Sequence, residues 1–172
     1  MELWDAYRRD GTPAGTELVR GEPIPEGLYH IVCEALIRHA DGDYLLMRRD
    51  PRKDLFPGWT ESSAGGSALK GETAEDCIRR EIREETGITS LLRLDEEARF
   101  IFDDGRCFFY VFLAVTDCDK SAVTLQPGET VGFRWVDRAA FARFAASGEM
   151  IPPQRARMAA HLLSAGLLSA AP

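Results

Sequence analysis

Residues 66–88 read GSALKGETAEDCIRREIREETGI, and this stretch carries the strongest structural signal in the chain. Thr73 and Asp76 have the spacing of a helix-capping box, with Asp76 in place of the more usual Glu or Gln. Gly87 suits the left-handed conformation that commonly ends a helix. These signals together predict a helix over about Ala74 to Thr86.

The predicted helix carries three carboxylates on one side. Glu81, Glu84 and Glu85 stand at positions i, i+3 and i+4, so at 3.6 residues per turn they share an arc of roughly 100°. The flanks of this arc differ: Ala74, Ile78 and Ile82 fall beside Glu85, whereas Asp76, Arg79 and Arg83 lie on the far side. A solvated acidic face, balanced by pairs such as Arg80 with Glu84, is the alternative interpretation. Because the cluster borders the apolar face, we expect partly desolvated carboxylates that bind a hard divalent cation such as Mg²⁺ or Mn²⁺.

The same stretch resembles the signature of the Nudix hydrolase family. That signature is G-x5-E-x7-R-E-U-x-E-E-x-G-U, with U aliphatic, and it is matched at every defined position, by Gly66, Glu72, Arg80, Glu81, Ile82, Glu84, Glu85, Gly87 and Ile88. Seven fixed matches at one start have a chance probability on the order of 10⁻⁸. The resemblance implies an α/β/α sandwich with a mixed sheet. It also implies Mg²⁺- or Mn²⁺-dependent hydrolysis of a nucleoside diphosphate linked to a moiety X.

The resemblance further implies a role for each residue of this signature, which we call the box. The implied metal ligands are the carboxylates of Glu84 and Glu85, the carboxylate of Glu81, which alternatively acts as the general base, and the main chain of Gly66. Glu72 and Arg80 would not bind the metal directly but would hold the ligands in place, with Arg80 orienting a glutamate. A bound cation would offset phosphate charge and lower the pKa of a water molecule so that it can attack.

Composition sets outer limits on function. The 172 residues are 45% hydrophobic and 28% charged, which is typical of a globular domain and excludes collagen-like and wholly disordered chains. The net charge of −7 gives no overall attraction to a phosphate backbone or an anionic membrane, so we expect no nucleic-acid or membrane partner. The four cysteines form no C-x-x-C pair. We therefore expect reduced thiols. The N-terminal residues MELWDAYRRD lack the basic start and apolar segment of a signal peptide, so we expect a cytoplasmic location.

The order of the remaining elements predicts an α+β, or mixed α/β, fold in a single domain spanning residues 1–172. Two hairpins are expected: Leu28–Arg38 with Tyr44–Arg48, and Ala98–Phe102 with Cys107–Val115. A further strand and two helices are predicted over 131–136, 137–146 and about 154–170. The last helix is expected to pack on the domain, although its apolar character leaves a homodimer open.

Few residues outside the box carry a functional signal. Glu129 lies in the loop before the last predicted strand, where the family sometimes has an extra metal ligand or base; a solvated loop glutamate is the alternative. Arg48 and Trp59 are candidates for substrate binding, because arginine pairs with phosphate and an aromatic face stacks on a flat ligand. Arg49 and Phe56 have the same chemistry nearby, and ordinary core or surface roles are the alternative for all four.

Two other functions compete with hydrolysis. The layout ahead of the box, including LFPGWT at 55–60, resembles a subgroup that includes isopentenyl-diphosphate isomerase. Ala64 and Gly66 stand where that enzyme would place its catalytic Cys and a metal-binding His, which argues against isomerisation. A catalytically silent nucleotide sensor is the second competitor, but such sensors typically lose box glutamates, which this chain retains. Substrate identity stays open among nucleoside di- and triphosphates, damaged nucleotides, nucleotide sugars and dinucleoside polyphosphates.

Overall fold

The computed structural model describes residues 1–168, so the end of the predicted C-terminal helix lies outside the described residues. Within that range the strands are β1 (Leu3–Arg8), β2 (Pro13–Val19), β3 (Leu28–His39), β4 (Tyr44–Arg49), β5 (Thr60–Glu61), β6 (Ser63–Ser67), β7 (Arg93–Phe102), β8 (Cys107–Thr116) and β9 (Thr130–Val136). The helices are α1 (Ala74–Thr86), α2 (Arg138–Ala146), α3 (Pro152–Arg157) and α4 (Ala159–Ser164).

Strand β3 organises a mixed sheet. It runs antiparallel to β6 and parallel to β8, and β8 in turn pairs with β7 antiparallel. Side chains of β3 alternate between the two faces of the sheet. Its residues Ile31, Cys33, Ala35 and Ile37 pack in a cluster with α1. Leu36, on the other face, packs in a cluster with α2, α4, Met150 and Met158. Helices therefore cover both faces, which confirms the expected α/β/α sandwich.

One predicted hairpin opens out in the structure. Strands β3 and β4 meet only where Arg38 lies opposite Tyr44, and β4 then pairs with β9 and β5. The turn between them is present, but the edges of β3 are occupied by β6 and β8, which leaves no edge for a long β4 pairing. The second predicted hairpin, β7 with β8, is confirmed along its length.

Helix α1 begins and ends where the sequence predicts. The Thr73 side chain accepts from the Asp76 N–H at 3.1 Å, the Thr73 N–H donates to Asp76 Oδ2 at 3.1 Å, and Gly87 has φ 72°. The capping box and the left-handed Gly87 fix where the helix begins and ends, and Glu81, Glu84 and Glu85 lie within it. No helix within residues 1–168 has the length and apolar character needed to cross a membrane.

The single helix predicted over about 154–170 is divided into α3 and α4. Met158 interrupts it with φ −87° and ψ 0°, away from the helical ψ near −42°. Its side chain is buried, and its sulfur lies 3.9 Å from Ser62 Oγ. Helix α3 contacts the sheet where β5 ends and β6 begins, because its Gln154 side chain forms hydrogen bonds with Ser62 and Ser63.

Candidate active site

The three carboxylates on the acidic face of α1 differ in burial. Glu84 is the most exposed of the three carboxylates, with 40% of its side chain accessible, and Glu81 retains 13%. Glu85 is buried, with 7% of the residue accessible. Ile78 and Ile82 on the same helix are fully buried. The carboxylates therefore border the buried face, as the helical periodicity predicts.

Arg80 binds three carboxylates at once. Its Nε and Nη2 donate to the two oxygens of Glu72 at 2.7 and 3.0 Å. Its Nη1 donates to Glu81 Oε1 at 2.7 Å and to Glu84 Oε2 at 3.2 Å. A further bond from Nη2 to the Ser67 carbonyl, at 3.1 Å, ties the group to β6. Charge-assisted bonds of this kind hold the glutamates in fixed orientations.

Strand β6 presents its main chain to α1. The N–H of Gly65 donates to Glu85 Oε1 at 3.3 Å. A Cβ at position 66 would overlap the carboxylate of Glu81, and a Cβ at position 65 would overlap the carbonyl of Cys33. At position 65 a side chain would push strands β3 and β6 apart, so glycine is required there; at position 66 a side chain would instead displace the Glu81 carboxylate. The main chain at Gly66 therefore lies close against the Glu81 carboxylate, and the Gly66 carbonyl accepts from the Cys77 thiol at 3.6 Å.

Burial raises the pKa of three carboxylates at the site, and repulsion between them adds to the shift. The pKa of Glu85 lies well above its usual value, first because of burial and then because of repulsion from Glu61 and Glu81. Burial also raises the pKa of Glu81, against the opposing bonds from Arg80. The pKa of Glu61 is raised by burial as well, although Arg49 Nη1 lies 2.7 Å from its Oε2. Glu85 has no ion-pair partner among residues 1–168.

Glu61 is a candidate that sequence reasoning missed. It lies on the two-residue strand β5, outside the box and outside any motif. Nothing in its spacing points to the site, because only the pairing of β5 with β4 brings it near Glu85. Its sole sequence signal is an acidic residue followed by the small residues SSAGG at 62–66, a stretch otherwise suited to burial.

Glu129 reaches the site from the loop before β9. Its carboxylate is ion-paired with Lys53, and its carbonyl accepts from the Asp50 N–H at 2.9 Å. These contacts join two loops, 50–58 and 126–129, above the carboxylates of α1. The structure thus brings Glu129 to the candidate site, where it adds to the repulsion felt by Glu85.

Two adjoining cavities open beside these groups. The first, which we call the polar cleft, has a volume of about 330 Å³ and its lining includes Arg20, Lys53, Glu81, Glu84, Glu85 and Glu129. The second, which we call the phenylalanine pocket, has a volume of about 440 Å³ and its lining includes Glu34, Phe56, Phe102, Phe109, Gln154 and Arg157. Five residues line both: Lys53, Gly65, Gly66, Glu85 and Glu129.

The predicted substrate-binding residues Arg48 and Trp59 line neither cavity. Arg48 lies at a separate depression on the surface of β4 and β9. Successive strand residues point to opposite faces, so its neighbour Arg49 reaches the phenylalanine pocket instead. Trp59 packs edge-on against Phe56, with ring centroids 5.6 Å apart, and Phe56 lines the pocket. The pocket is therefore lined by Arg49 in place of Arg48, and by Phe56 in place of Trp59.

The donor set fits a hard divalent cation. The glutamates that line the polar cleft are Glu81, Glu84, Glu85 and Glu129, and Gly66 lines it as well. Carboxylate oxygens are the ligand type that Mg²⁺ and Mn²⁺ prefer. Within the described part of the chain, no group of three or more His, Cys, Asp or Glu side chains is already arranged to hold a metal ion. Arg80 holds Glu81 and Glu84, whereas Glu85 accepts from the Gly65 N–H. The buried Glu85 carboxylate favours a cation, since positive charge would offset the repulsion that raises its pKa.

Comparisons with known proteins agree with this geometry. The model of the NUDIX domain matches residues 28–158. An uncharacterised Nudix hydrolase of Listeria monocytogenes is 33% identical over 152 residues, covering 88% of this chain and 89% of that protein. A Nudix hydrolase of Deinococcus radiodurans is 36% identical over 72 residues, covering 42% of each chain.

Solved structures share the fold. A Deinococcus radiodurans protein known from a crystal structure has a TM-score of 0.66 at 26% identity, covering 86% of this chain and 91% of that one. A MutT protein from Methanosarcina mazei has a TM-score of 0.58 at 25% identity, covering 76% of this chain and 91% of that one. The family match includes the central strands, α1 with its complete box, and α3. The chain therefore belongs to the Nudix family, and it is a hydrolase acting on pyrophosphate bonds.

Proposed function

We propose that this hydrolase depends on Mg²⁺ or Mn²⁺ and cleaves the diphosphate of a nucleoside diphosphate linked to a moiety X. The observation that carries the proposal is the buried carboxylate of Glu85, which lacks a cationic partner among the described residues and lies beside Glu81 in the polar cleft. A diphosphate would add negative charge to a cleft that is already acidic. A divalent cation is therefore needed for the carboxylates and the substrate to occupy the cleft together.

The residues that would hold the metal are Glu81, Glu84 and Glu85 and the carbonyl of Gly66, with Glu129 as a further ligand or base. When bound, the metal supplies charge compensation for the diphosphate and lowers the pKa of a water molecule. Glu81 is the alternative candidate for the general base: its raised pKa, caused by burial, makes it a better proton acceptor than an exposed glutamate.

Arg80 and Glu72 act in this proposal by positioning other groups. Arg80 Nη1 bridges Glu81 and Glu84, and Glu72 binds the opposite edge of the same guanidinium. With its hydrogen bonds committed in this way, Arg80 fixes carboxylates rather than binding substrate. Two other cations line the polar cleft, Lys53 paired with Glu129 and Arg20 paired with Glu2, and these are suited to outer phosphate oxygens.

The proposed substrate is a small nucleotide, and no nucleic acid is involved. The polar cleft and the phenylalanine pocket adjoin through five shared residues, so a diphosphate in one places its attached group in the other. A volume of about 440 Å³ lies within the range of pockets that bind small molecules. The chain's net charge of −7 also disfavours a polyanionic partner.

The test is product analysis by mass spectrometry with a panel of nucleoside di- and triphosphates, nucleotide sugars and dinucleoside polyphosphates. We expect cleavage between two phosphorus atoms of at least one compound in Mg²⁺ or Mn²⁺, and none after chelation with EDTA. Isopentenyl diphosphate is included in the panel. Binding of nucleotide without cleavage would identify a sensor, and conversion of isopentenyl to dimethylallyl diphosphate would identify an isomerase; either result would refute the proposal.

A further inference from the structure

The N-terminal hairpin, β1 with β2, lies outside residues 28–158, the part of the chain that the NUDIX model matches. It is nevertheless fixed to the domain. Strand β1 pairs with the start of β3, where Tyr7 lies opposite Tyr29. Trp4 is buried and stacks on His30 of β3, with the ring centroids 4.1 Å apart. The hairpin is therefore a packed part of this fold that the family model does not include.

The hairpin also contacts the loop between β6 and α1, which belongs to the box. The N–H of Lys70 donates to the carbonyl of Leu3 at 2.8 Å. The N–H of Gly71 donates to Asp5 Oδ2 at 2.7 Å. The Lys70 side chain forms an ion pair with Glu17 on β2. Both strands of the hairpin are thus held against the box.

The open end of this hairpin reaches the polar cleft. Glu2 precedes β1 and Arg20 follows β2, and both residues line the cleft. The Arg20 N–H donates to the Glu2 carbonyl at 3.1 Å, and Arg20 Nη1 donates to Glu2 Oε2 at 2.7 Å. The Arg20 side chain is 63% accessible, so its pair with Glu2 contributes little to stability. Arg20 can therefore exchange Glu2 for another anion at little cost.

Arg20 differs from the other two cations in the lining of the polar cleft. Arg80 is bonded to three glutamates of the box. Lys53 is paired with Glu129 and lines the phenylalanine pocket as well. Within the residues that the structure describes, Arg20 is thus the one cation of this lining that is neither bound to the box nor shared with the pocket.

The end of a phosphate chain needs such a cation more than its interior does. A terminal phosphoryl group carries a charge of about −1.5 to −2 at pH 7, whereas a phosphoryl group inside the chain carries a single charge. The lining of the cleft includes the carboxylates of Glu2, Glu81 and Glu84, which would repel this charge. A guanidinium offers two parallel N–H donors to phosphate oxygens. Arg20 has both the charge and the donors that a terminal phosphoryl group requires.

We propose that Arg20 binds the free terminal phosphoryl group of the substrate, so that the N-terminal hairpin selects phosphate chains that have a free end. The reacting diphosphate lies at the carboxylates of the box, and a third phosphoryl group reaches Arg20. A chain that carries a group at both ends, as in a nucleotide sugar, would place an uncharged group there. This inference rests on the proposed function, because it requires a phosphate chain in the polar cleft. Arg20 determines specificity and takes no part in breaking the bond.

The experiment compares equilibrium binding of two probes, a methylene-bridged diphosphonate and a methylene-bridged triphosphonate, by isothermal titration calorimetry in Mg²⁺. Their P–C–P bridges cannot be hydrolysed. We expect the parent protein to bind the triphosphonate about tenfold more tightly, as one charge-assisted contact provides. Arg20→Gln should remove most of this preference and leave the affinity for the diphosphonate nearly unchanged. Arg20→Lys, which keeps the charge but loses the parallel donors, should retain part of the preference.

Glu2→Gln should change triphosphonate binding in the opposite direction. It removes the carboxylate that competes with phosphate for Arg20, so triphosphonate binding should tighten by about two- to fivefold. Opposite effects from the two partners of one ion pair distinguish a direct contact from damage to the hairpin, because a damaged hairpin would weaken binding in both variants.

Arg9→Gln is the matched control on the same hairpin. Arg9 forms an exposed pair with Asp103 at 3.0 Å, with 64% of its side chain accessible, and it is not part of the lining of the polar cleft. This variant should leave both affinities unchanged. Equal binding of the two probes by the parent would overturn the inference. A preference that survives Arg20→Gln, or that Arg9→Gln removes equally, would overturn it too.

Turnover separates this inference from the proposed function. With a triphosphate that the protein hydrolyses, Arg20→Gln should raise KM about tenfold with little change in kcat, as loss of uniform binding does. A protein that prefers the triphosphonate through Arg20 but hydrolyses nothing would refute the hydrolysis and retain the inference. A protein that hydrolyses compounds of the panel with the same KM after Arg20→Gln would refute the inference and retain the hydrolysis.

Discussion

Glu85 and Glu34 are both buried glutamates on adjoining cavities, yet their surroundings are opposite. Glu85 borders the polar cleft beside the carboxylates of Glu61 and Glu81, and their repulsion adds to the effect of burial in raising its pKa. Glu34 borders the phenylalanine pocket and is bound at both oxygens by Arg157. Burying a charge without a partner is costly. A cation from outside would balance the charge of Glu85, whereas the chain itself supplies the partner of Glu34.

The largest effect is expected from Glu84→Gln, which removes one negative charge from the polar cleft. We expect turnover to fall about 10²- to 10⁴-fold, the range typical for loss of a group acting directly in the chemistry. Glu84 is 40% accessible, so the melting temperature should stay close to that of the parent protein. Steady-state hydrolysis and thermal melting measure the two effects.

Glu75→Gln is the matched control, on the same helix but away from the cleft. Glu75 forms only an exposed pair with Arg79, at 2.8 Å. Such a pair contributes about 0.5 kcal/mol to stability and nothing to the cleft. Equal losses of turnover in the two variants would show that helix charge in general, and not the polar cleft, controls activity.

Gly66→Ala tests the close approach of β6 to α1. The added methyl group would overlap the Glu81 carboxylate, so Glu81 must move out of its bond with Arg80. We expect turnover to fall about 10- to 100-fold, as is typical when the support of a ligand is disturbed. The measurement is the turnover rate of Gly66→Ala and of the parent protein, both at saturating metal concentration. Unchanged turnover would mean that the position of Glu81 is not critical for the reaction.

Arg157→Met tests the balanced side of the comparison. It leaves Glu34 buried without its partner, and we expect a loss of about 2 kcal/mol, or about 4–8 °C in melting temperature for a chain of this size. Burial raises the pKa of Glu34 while Arg157 opposes the shift, so the loss should be greatest above the usual glutamate pKa. Replacing both residues, with Glu34→Leu added, should recover part of the stability.

Arg79→Met is the control for this experiment, because it breaks an exposed pair on the outer side of α1. Its melting temperature should fall by less than about 2 °C. An equal fall in the two arginine variants would contradict the importance of the buried pair.

The smallest effect is expected from Glu85→Gln in the metal-free protein. Because the folded-state pKa of Glu85 is raised, the folded protein retains a proton that the unfolded chain has lost, and stability falls as pH rises above the usual glutamate value. Removing this charge should raise the melting temperature at pH 8 by about 2–4 °C and have little effect at pH 4.

Mg²⁺ should act on the parent protein in the same pH range. It should raise the melting temperature of the parent more at pH 8 than at pH 5, since protons compete for the carboxylates. Glu85→Gln should lose most of this increase. A metal-induced increase that is independent of pH and of residue 85 would place the cation elsewhere.

The same comparison explains which parts of the molecule the sequence predicts. The acidic face of α1 is predictable because its caps, its periodicity and its carboxylates lie in one continuous stretch, 66–88. Glu34, Phe102, Phe109 and Arg157 instead come from β3, β7, β8 and α3. They meet only because β8 lies parallel to β3 and α3 docks across both, and neither event has a local sequence signal.

Smaller differences have the same origin. The turn between β3 and β4 is encoded locally, but the partners of β4 are decided by competition for the edges of β3. Arg48 and Arg49 are equivalent by residue type, and the alternation of strand β4 decides which of them reaches the cavities. Met158, where the last predicted helix is interrupted, is buried against Ser62, a residue distant in sequence.

The most direct test is hydrolysis in oxygen-18-labelled water, followed by mass spectrometry of the products, with a substrate identified from the nucleotide panel. We predict that Mg²⁺-dependent cleavage places one labelled oxygen on one of the two phosphate-bearing products. Labelled product should form at the parent rate with Glu75→Gln and about 10²- to 10⁴-fold more slowly with Glu84→Gln. Products without label, or labelled products formed at the parent rate by Glu84→Gln, would contradict the assignment of hydrolysis to the polar cleft.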